Sequence, residues 1–328
     1  MRKLATVQII SDIKDIPNAN VIKVASVLGW KTVIKENEFK IGDKIVFIEI
    51  DSILPDRPEF TFFKKKSDRL KTIRLRGQIS QGVCFPMTIL PSGNYEVGID
   101  VTDILGITKH ESPIPAQLSG IVKGASPSFI PKTDEPRIQL LQPLLDKYKN
   151  EMFSVSEKLD GASVTYYINN GVFGVCGRNW ELQKNPDNTL WKLAEQYNIE
   201  NKLRNFNRNI ALQGEVIGEG IQKNSYQLKG QDVYFFNLFD IDTQLHAAPS
   251  ELRINTYELN WAPWLADCCQ HETIENWIKF ATGLSLLNGN SLREGIVCRP
   301  IFKKDYDPDF GRVSFKVINP EYLLKNDT

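Results

Sequence analysis

Short strand-like runs rich in hydrophobic residues recur through the first hundred positions. They span residues 4–10, 21–27, 32–34, 44–50 and 83–87, and turn-forming residues separate them. Short apolar runs bounded by turn residues are typical of strands. Several short strands around one core predict a closed or nearly closed β-barrel over residues 1–105.

One strand of this predicted barrel carries Gly42-Asp43. It resembles the strand that carries Gly-Asp in OB-folds, which bind single-stranded nucleic acid.

The pattern changes twice after this unit. Prolines recur through residues 106–136, at positions 113, 115, 127, 131 and 136. Proline fixes φ and lacks a backbone donor, so this stretch predicts an extended linker. From residue 137 helical and strand periods mix. Helices are predicted over 140–148, 190–203 and 274–287, and strands over 163–168, 171–176, 210–217, 232–241, 295–299 and 312–318. We therefore expect an α+β domain over residues 137–328.

Composition narrows the class of protein. The chain has 328 residues, 41% of them hydrophobic, with 40 Lys+Arg against 40 Asp+Glu. This is the composition of a soluble globular protein, and a net charge of zero means that nucleic acid would have to bind at local clusters. No apolar run approaches the roughly 18 residues of a membrane span. We expect a monomeric intracellular protein, in cytoplasm or nucleus, whose five scattered cysteines form neither disulfides nor a zinc site.

One basic cluster lies inside the predicted barrel and follows three phenylalanines at positions 60, 62 and 63. Cations neutralise phosphates and aromatic rings stack on bases, so the combination suits RNA binding. Arg74 and Arg76 are expected to lie along one strand face, which favours this interpretation. A solvated charge run beside core phenylalanines remains the alternative. The candidate residues are Lys64, Lys65, Lys66, Arg69, Lys71, Arg74 and Arg76.

The most reactive stretch runs from Glu157 to Ser163, with sequence Glu-Lys-Leu-Asp-Gly-Ala-Ser. A strand-like run precedes it and another follows, which predicts a hairpin with Lys158 at its mouth. Lysine is a nucleophile only when its amine is neutral, which requires burial, a nearby cation or a metal. Taken alone, the stretch could equally be a surface Asp-Gly turn preceded by a solvated lysine.

Further polar residues interrupt or end the later strands in a fixed order. They are Arg178, Glu215, the run Asn237-Leu238-Phe239-Asp240-Ile241, Glu294 and Lys316. Together with Lys158-Leu159-Asp160-Gly161, this order resembles the motifs of the covalent nucleotidyltransferases, which comprise DNA ligases, RNA ligases and mRNA capping enzymes. Buried carboxylates are costly unless they orient a cation. We therefore expect Asp160, Glu215 and Glu294 to hold Mg²⁺ or Mn²⁺, through water molecules.

The resemblance assigns a role to each remaining position. Lys158 is the nucleophile that takes AMP from ATP, and Lys316 contacts the α-phosphate. Glu157 reads the base, and Ser163 lies in the same nucleotide site. Adenine is expected to stack on Phe239, whose strand face should also carry Phe235 and Asn237. Arg178 is expected to clamp the ribose or a phosphate. Arg137 is expected to contact the outer phosphates or the metal. Phe239 could instead be plain core, and Arg178 a surface residue.

Two departures narrow the family. DNA ligases and capping enzymes usually carry arginine five residues after the lysine, where this chain has Ser163. Their last motif often has two lysines, and here Ser314 replaces the first. Those enzymes also carry an OB domain after the last strand, whereas in this sequence only residues 319–328 follow it. An OB-like unit before an ATP-grasp-like adenylation domain of antiparallel sheets and helices is instead similar to the Deinococcus-type branch of ATP-dependent RNA ligases.

This likeness predicts an enzyme that seals RNA 5′-phosphate and 3′-OH ends through a lysyl-AMP and an adenylylated 5′ end. The expected substrate is a nicked duplex in RNA repair. Three alternatives stay open: a DNA ligase, a GTP-using capping enzyme, and a catalytically inert OB-type RNA-binding adaptor.

Overall fold

A computed structural model of the chain describes residues 3–64, 67–110, 122–249, 251–252, 258–269, 273–301 and 306–326. The chain divides into two compact units, Met1–Ser112 with Leu323–Thr328, and Pro113–Tyr322. No helix among these described residues is long and apolar enough to cross a membrane. The boundaries at residues 105 and 136 stay a prediction.

The first unit consists of short antiparallel sheets around one core. Val7, Val46 and Phe60 lie in that core and are fully buried. Strands β1, β5 and β9 form one sheet, β2, β3 and β4 a second, and β6 with β10 and β7 with β8 form two-stranded pairs. The strands are β1 (Ala5–Ile9), β2 (Asp12–Asp15), β3 (Ile22–Val27), β4 (Trp30–Lys35), β5 (Lys44–Ile48), β6 (Ser52–Ile53), β7 (Ile73–Leu75), β8 (Gln78–Ser80), β9 (Val83–Pro86) and β10 (Thr108–Lys109), and the helices are α1 (Thr61–Lys64) and α2 (Thr102–Leu105).

The basic cluster of this unit differs from the expected strand face. Arg74 lies in β7, but Arg76 and Gly77 form the turn to β8 with φ of 48° and 83°. Two left-handed residues are the requirement of a tight hairpin turn, so the two arginines do not alternate along one strand, and that prediction was wrong. Lys64 pairs with Asp56 and Asp68, and Arg69 pairs with Asp51. Lys65 and Lys66 lie outside the described residues.

The second unit has two principal antiparallel sheets and a few helices. The larger sheet has strand order β11-β15-β14-β13-β16-β17-β18, and the smaller one β19-β12-β20-β23. The strands are β11 (Val122–Ala125), β12 (Met152–Lys158), β13 (Ala162–Asn169), β14 (Val172–Cys176), β15 (Trp180–Leu182), β16 (Ile210–Gly218), β17 (Gln231–Asp240), β18 (Leu245–His246), β19 (Trp264–Cys269), β20 (Gly295–Pro300), β21 (Tyr306–Asp307), β22 (Gly311–Arg312) and β23 (Phe315–Ile318). The helices that begin in this unit are α3 (Gln142–Lys147), α4 (Thr189–Gln196), α5 (Ile199–Arg204), α6 (Ile274–Ala281) and α7 (Pro320–Asn326).

Two of the predicted helices are shorter than their hydrophobic period indicates. The helix over 190–203 breaks into α4 and α5 because Asn198 adopts a left-handed φ of 49°. The helix over 274–287 ends at Ala281. Arg293 donates to the carbonyls of Phe280 and Ala281 at 3.1 and 3.0 Å, which satisfies the end of α6. These carbonyl contacts let the chain leave the helix six residues early.

The predicted hairpin at Lys158 was also wrong. β12 pairs with β19 and β20 in the smaller sheet, whereas β13 pairs with β14 and β16 in the larger one. The turn at residues 159–161 therefore carries the chain from one sheet to the other. Gly161 is required there, because a Cβ would collide with the carbonyl of Val216 and the side chain of Ile217. Lys158 thus lies where the two sheets meet.

Candidate active site

Lys158 is the last residue of β12 and faces a ring of carboxylates. Its Nζ donates to Glu294 Oε2 at 2.7 Å. Glu294 reaches this position because Gly295, the next residue, pairs with Lys158 across β12 and β20. Glu215 lies on β16 opposite Ser163, and Asp160 occupies the turn. The structure therefore brings the predicted nucleophile and all three predicted metal carboxylates together.

The protonation of Lys158 is controlled by these charges. Burial alone would lower the pKa of its ammonium group, but the charges of Glu294 and Glu215 outweigh burial and raise that pKa above its usual value. The ammonium form is therefore favoured, and burial is not enough to make this lysine a nucleophile. A further positive charge is needed to release the proton.

Lys158 alone does not balance three ionised carboxylates, and the pKa values of two of them are raised. Burial raises the pKa of Glu215 to about 8, with Lys158 opposing the rise and Glu294 and Asp160 adding to it. The pKa of Glu294 is also raised, with burial as the largest cause. Oxygen donors with excess negative charge suit Mg²⁺ or Mn²⁺. Within the described ranges no three such side chains are close enough to bind one ion directly, and coordination through water stays a prediction.

Lys316 and Arg137 form a positive group beside this ring. Lys316 lies on β23 opposite Val297 of β20. Its backbone also forms an isolated β-bridge with the backbone of Arg137. Burial, together with the charges of Arg137 and Lys158, lowers the pKa of Lys316 to about 7, against the opposing charges of Asp134 and Glu294. Positively charged groups gathered in a partly buried site favour an anionic ligand.

The end of the predicted linker is built into the site, which the sequence did not indicate. Thr133 and Ser163 share a hydrogen bond of 3.0 Å, and Arg178 pairs with Asp134 at 3.0 Å. The main-chain N–H of Lys316 donates to the carbonyl of Pro136. Ser163 and Arg178 are therefore linked to the segment at residues 131–137, and Arg178 remains exposed at the edge.

A buried ion network continues from this segment. Glu135 accepts hydrogen bonds from Arg312 at 2.9 Å and from the Ser314 hydroxyl, and it lies 3.6 Å from Arg299. Arg299 also donates to the Ser156 hydroxyl at 3.2 Å. Burial would raise the pKa of Glu135, but the charges of Arg312 and Arg299 outweigh it and lower that pKa. Ser314, at the position of the missing lysine, therefore belongs to this network.

Glu157 points away from Lys158 into a separate buried position. Its Oε2 accepts from the main-chain N–H of Leu286 at 2.8 Å, and its Oε1 is buried without a partner among the described residues. Burial is the main cause that raises the pKa of this carboxyl. The early end of α6 explains the contact, since Leu286 would otherwise lie inside a helix.

A bulge in β17 changes which rings face the site. Gln213 pairs with Asn237 and Gly214 with Phe235, which leaves Phe236 without an opposite residue. Phe235 packs against Tyr166 in the core on the other face of the sheet. The prediction that Phe235 shares a face with Phe239 was therefore wrong, because a bulge interrupts the two-residue alternation.

Phe236 is the ring that the sequence reasoning missed. It is partly exposed, and the guanidinium of Arg299 lies 5.4 Å from its ring centre. Phe239 is 2% exposed and packs with Tyr167 and His246. Its role as the stacking ring stays a prediction. A bulge has no reliable signal in a single sequence, although the Phe-Phe pair marked an aromatic strand.

Comparison with known proteins agrees with this geometry. A family model described as RNA ligase matches residues 151–318, and one described as OB-fold domain matches residues 4–87. The solved structure of Naegleria gruberi RNA ligase with pyrophosphate is 41% identical, with a TM-score of 0.91 over 100% of this chain and 99% of that chain. The chain belongs to the RNA ligase family.

Further structures of the N. gruberi RNA ligase contain other ligands. A variant with ATP and manganese is 40% identical, and one with AMP and manganese is 41% identical, each with a TM-score of 0.91 over 99% of both chains. A search of curated protein sequences gave no match. The expected α+β fold with an N-terminal OB-fold domain, and the expected ATP-dependent RNA ligase, are confirmed.

Proposed function

We propose that this RNA ligase joins ends through Lys158 and that its natural substrate is a nick in duplex RNA. The observation that carries the residue assignment is the position of Lys158 Nζ, 2.7 Å from Glu294 and inside a ring of three carboxylates. Chemistry is the best explanation for a partly buried lysine among these carboxylates, because a structural ion pair needs one carboxylate rather than three.

The reaction proceeds in three steps. The neutral amine of Lys158 attacks the α-phosphorus of ATP and gives up a proton to solvent, the bond to the β-phosphate breaks, and pyrophosphate leaves. An oxygen of the RNA 5′-phosphate then attacks the same phosphorus, and the bond to Lys158 Nζ breaks as Nζ takes up a proton. Finally the 3′-OH attacks the 5′-phosphorus and loses its proton to solvent, a phosphodiester forms, and the bond from that phosphorus to AMP breaks as AMP leaves.

Each group around Lys158 has a task in the first step. Bound Mg²⁺ or Mn²⁺ supplies positive charge that offsets Glu215, Glu294 and Asp160 and so lowers the pKa of the Lys158 ammonium. These three side chains are the ones that would hold the ion. The crystallised N. gruberi ligase contains manganese together with ATP or AMP, which supports the same pairing here.

The remaining site residues hold the nucleotide. Lys316 contacts the α-phosphate and Arg137 the outer phosphates, because both are cations beside the ring of carboxylates. Arg178 clamps ribose or phosphate, with Ser163 beside it. The Oε1 atom of Glu157, which has no partner among the described residues, is available to hydrogen-bond with the adenine edge. Adenine stacks on Phe239 or on Phe236, and the partial exposure of Phe236 favours the second ring.

The OB-fold unit supplies RNA contacts. Phe62 is 73% exposed beside the predicted basic cluster, and an exposed ring next to cations is suited to stacking on a base. We propose that a monomer binds one nick through this surface and the adenylation domain, with Lys64, Lys65, Lys66, Arg69, Lys71, Arg74 and Arg76 as the candidate phosphate contacts.

A sealing assay on four nicked duplexes tests this substrate. The strand on each side of the nick is RNA or DNA, and ATP or GTP is supplied with Mn²⁺. We expect ATP-dependent sealing when the 3′-OH strand is RNA and none with the Lys158→Met variant. Equal sealing of an all-DNA nick would indicate a DNA ligase, labelling with GTP alone would indicate a capping enzyme, and RNA binding without adenylation would indicate an adaptor.

A further inference from the structure

Asp160 is held by two tyrosine hydroxyls that belong to none of the sequence motifs. The hydroxyl of Tyr322 donates to Asp160 Oδ2 at 2.5 Å. The hydroxyl of Tyr226 accepts from the main-chain N–H of Asp160 at 2.6 Å. Both tyrosines are 5% exposed. The residue is therefore fixed at its backbone and at its carboxylate by side chains 66 and 162 positions away.

Tyr322 reaches Asp160 because the start of α7 is attached to the strand end that presents Glu294. The main-chain N–H of Asn319 donates to the carbonyl of Glu294, and its side chain donates to the carbonyl of Arg293. Asn319 Oδ1 also accepts from the N–H of Glu321 in the first turn of α7. One asparagine thus fixes both Glu294 and the helix that carries Tyr322.

Tyr226 lies on the loop between β16 and β17, whose backbone is unusual. Gln222, Asn224 and Gln227 have φ of 47°, 42° and 53°, a region that costs free energy for residues other than glycine. Gln222 also donates to the carbonyl of Gly161 at 3.1 Å. Such a conformation persists only where surrounding contacts determine it, and here the contacts are made with the turn that follows Lys158.

We propose that Tyr322 and Tyr226 are positioning residues that fix the Asp160 carboxylate for the divalent ion, an inference that rests on the proposed function of Asp160. With Oδ2 bound to Tyr322, the lone pairs of Oδ1 remain for the ion's water molecules. Without the hydroxyl, Asp160 can rotate and compete with Glu294 for the ammonium of Lys158.

The test measures Mn²⁺ affinity directly on the full chain. Electron paramagnetic resonance of free Mn²⁺ gives the affinity in the presence of α,β-methylene ATP, an analogue that cannot transfer AMP. The proteins are the unaltered chain, Tyr322→Phe, Tyr226→Phe, Asp160→Asn and the double variant Tyr322→Phe/Asp160→Asn. Tyr166→Phe is the matched control, because its buried hydroxyl donates to the carbonyl of Leu190 on the other face of the large sheet.

We expect each of the two single tyrosine variants to weaken Mn²⁺ binding by about tenfold, the lower end of the 10- to 100-fold typical for lost outer-shell partners. Tyr166→Phe should bind as the unaltered chain does. In the Asp160→Asn background, Tyr322→Phe should have no further effect. Unchanged affinity in both tyrosine variants, or the same loss with and without Asp160, would overturn the inference.

The proposed function is tested separately in the same preparations. If the unaltered chain forms no lysyl-AMP with ATP and Mn²⁺, the proposed function fails. The Mn²⁺ concentration that gives half-maximal adduct formation is then compared between the unaltered chain, Tyr322→Phe and Tyr226→Phe. If the three values are the same, only the positioning role fails. A rise in that concentration, with the rate at saturating Mn²⁺ within a few-fold of the unaltered chain, supports the positioning role.

Discussion

Replacing Glu215 by glutamine should make the metal-free ligase more stable while removing its activity. The pKa of this carboxyl rises from 4.5 to about 8, with burial as the main cause. A carboxyl whose pKa is raised on folding favours the folded state below pH 4.5 and loses that contribution as the pH approaches 8. At pH 8 the ionised group therefore opposes folding, and an uncharged amide removes that opposition.

The magnitude follows from the same values. The interval from 4.5 to about 8 corresponds to roughly 5 kcal/mol at most, at about 1.4 kcal/mol per pH unit. Glu215 is partly exposed at the junction of the two sheets, and solvent screens the effect there. We expect Glu215→Gln to add about 1–2 kcal/mol of stability at pH 8, which raises the melting temperature by roughly 2–6 °C.

Thermal melting in EDTA at pH 5 and pH 8 measures this difference. The gain should be large at pH 8 and small at pH 5, where Glu215 already carries a proton. Glu195→Gln, on the solvent side of α4, is the control and should change neither value. A variant that is less stable than the unaltered chain at pH 8, or equally stabilised at both pH values, would refute the reasoning.

Three further predictions concern the pH dependence, the base and the ion network. Since the pKa of Lys158 is raised, adenylation at limiting Mn²⁺ should accelerate as the pH rises above 7, and saturating Mn²⁺ should shift the pH–rate curve to lower pH. Phe236→Ala should raise the KM for ATP with little change in melting temperature, whereas Phe239→Ala should lose about 3–5 kcal/mol of stability on urea unfolding. Glu135→Gln should lose about 3–5 kcal/mol in the same assay, because two guanidinium groups stay buried without their carboxylate.

The sequence predicted most of the longer strands of both units from their apolar runs, but not β2, β15, β18 or β19. The residues around Lys158 were identified by the resemblance of their order to nucleotidyltransferase motifs, and Asp160, Glu215 and Glu294 are charged residues within or beside apolar strands. Such placement is rare unless a cation or a ligand compensates the cost of burial. Local chemistry was therefore visible in local sequence.

Long-range pairing was not visible in the same way. The hairpin at Lys158 was predicted from adjacency, but β12 pairs with β19 and β20, more than a hundred residues away, and β13 pairs with β14 and β16 in the other sheet. The bulge at Phe236 moved one ring to the site face, and Glu135 and Tyr322 acquired partners 177 and 162 positions distant. Each of these features depends on tertiary pairing, which a hydrophobic period does not encode.

The central claim is that Lys158 carries AMP during the reaction. Incubation of the full chain with ATP labelled at the α-phosphate and Mn²⁺, followed by proteolysis and mass spectrometry, identifies the modified residue. We predict one adduct with the mass of AMP on Lys158. Adding pyrophosphate should reverse the reaction and remove this adduct as ATP. Absence of any adduct, or an equally labelled protein after Lys158→Met, would contradict the account.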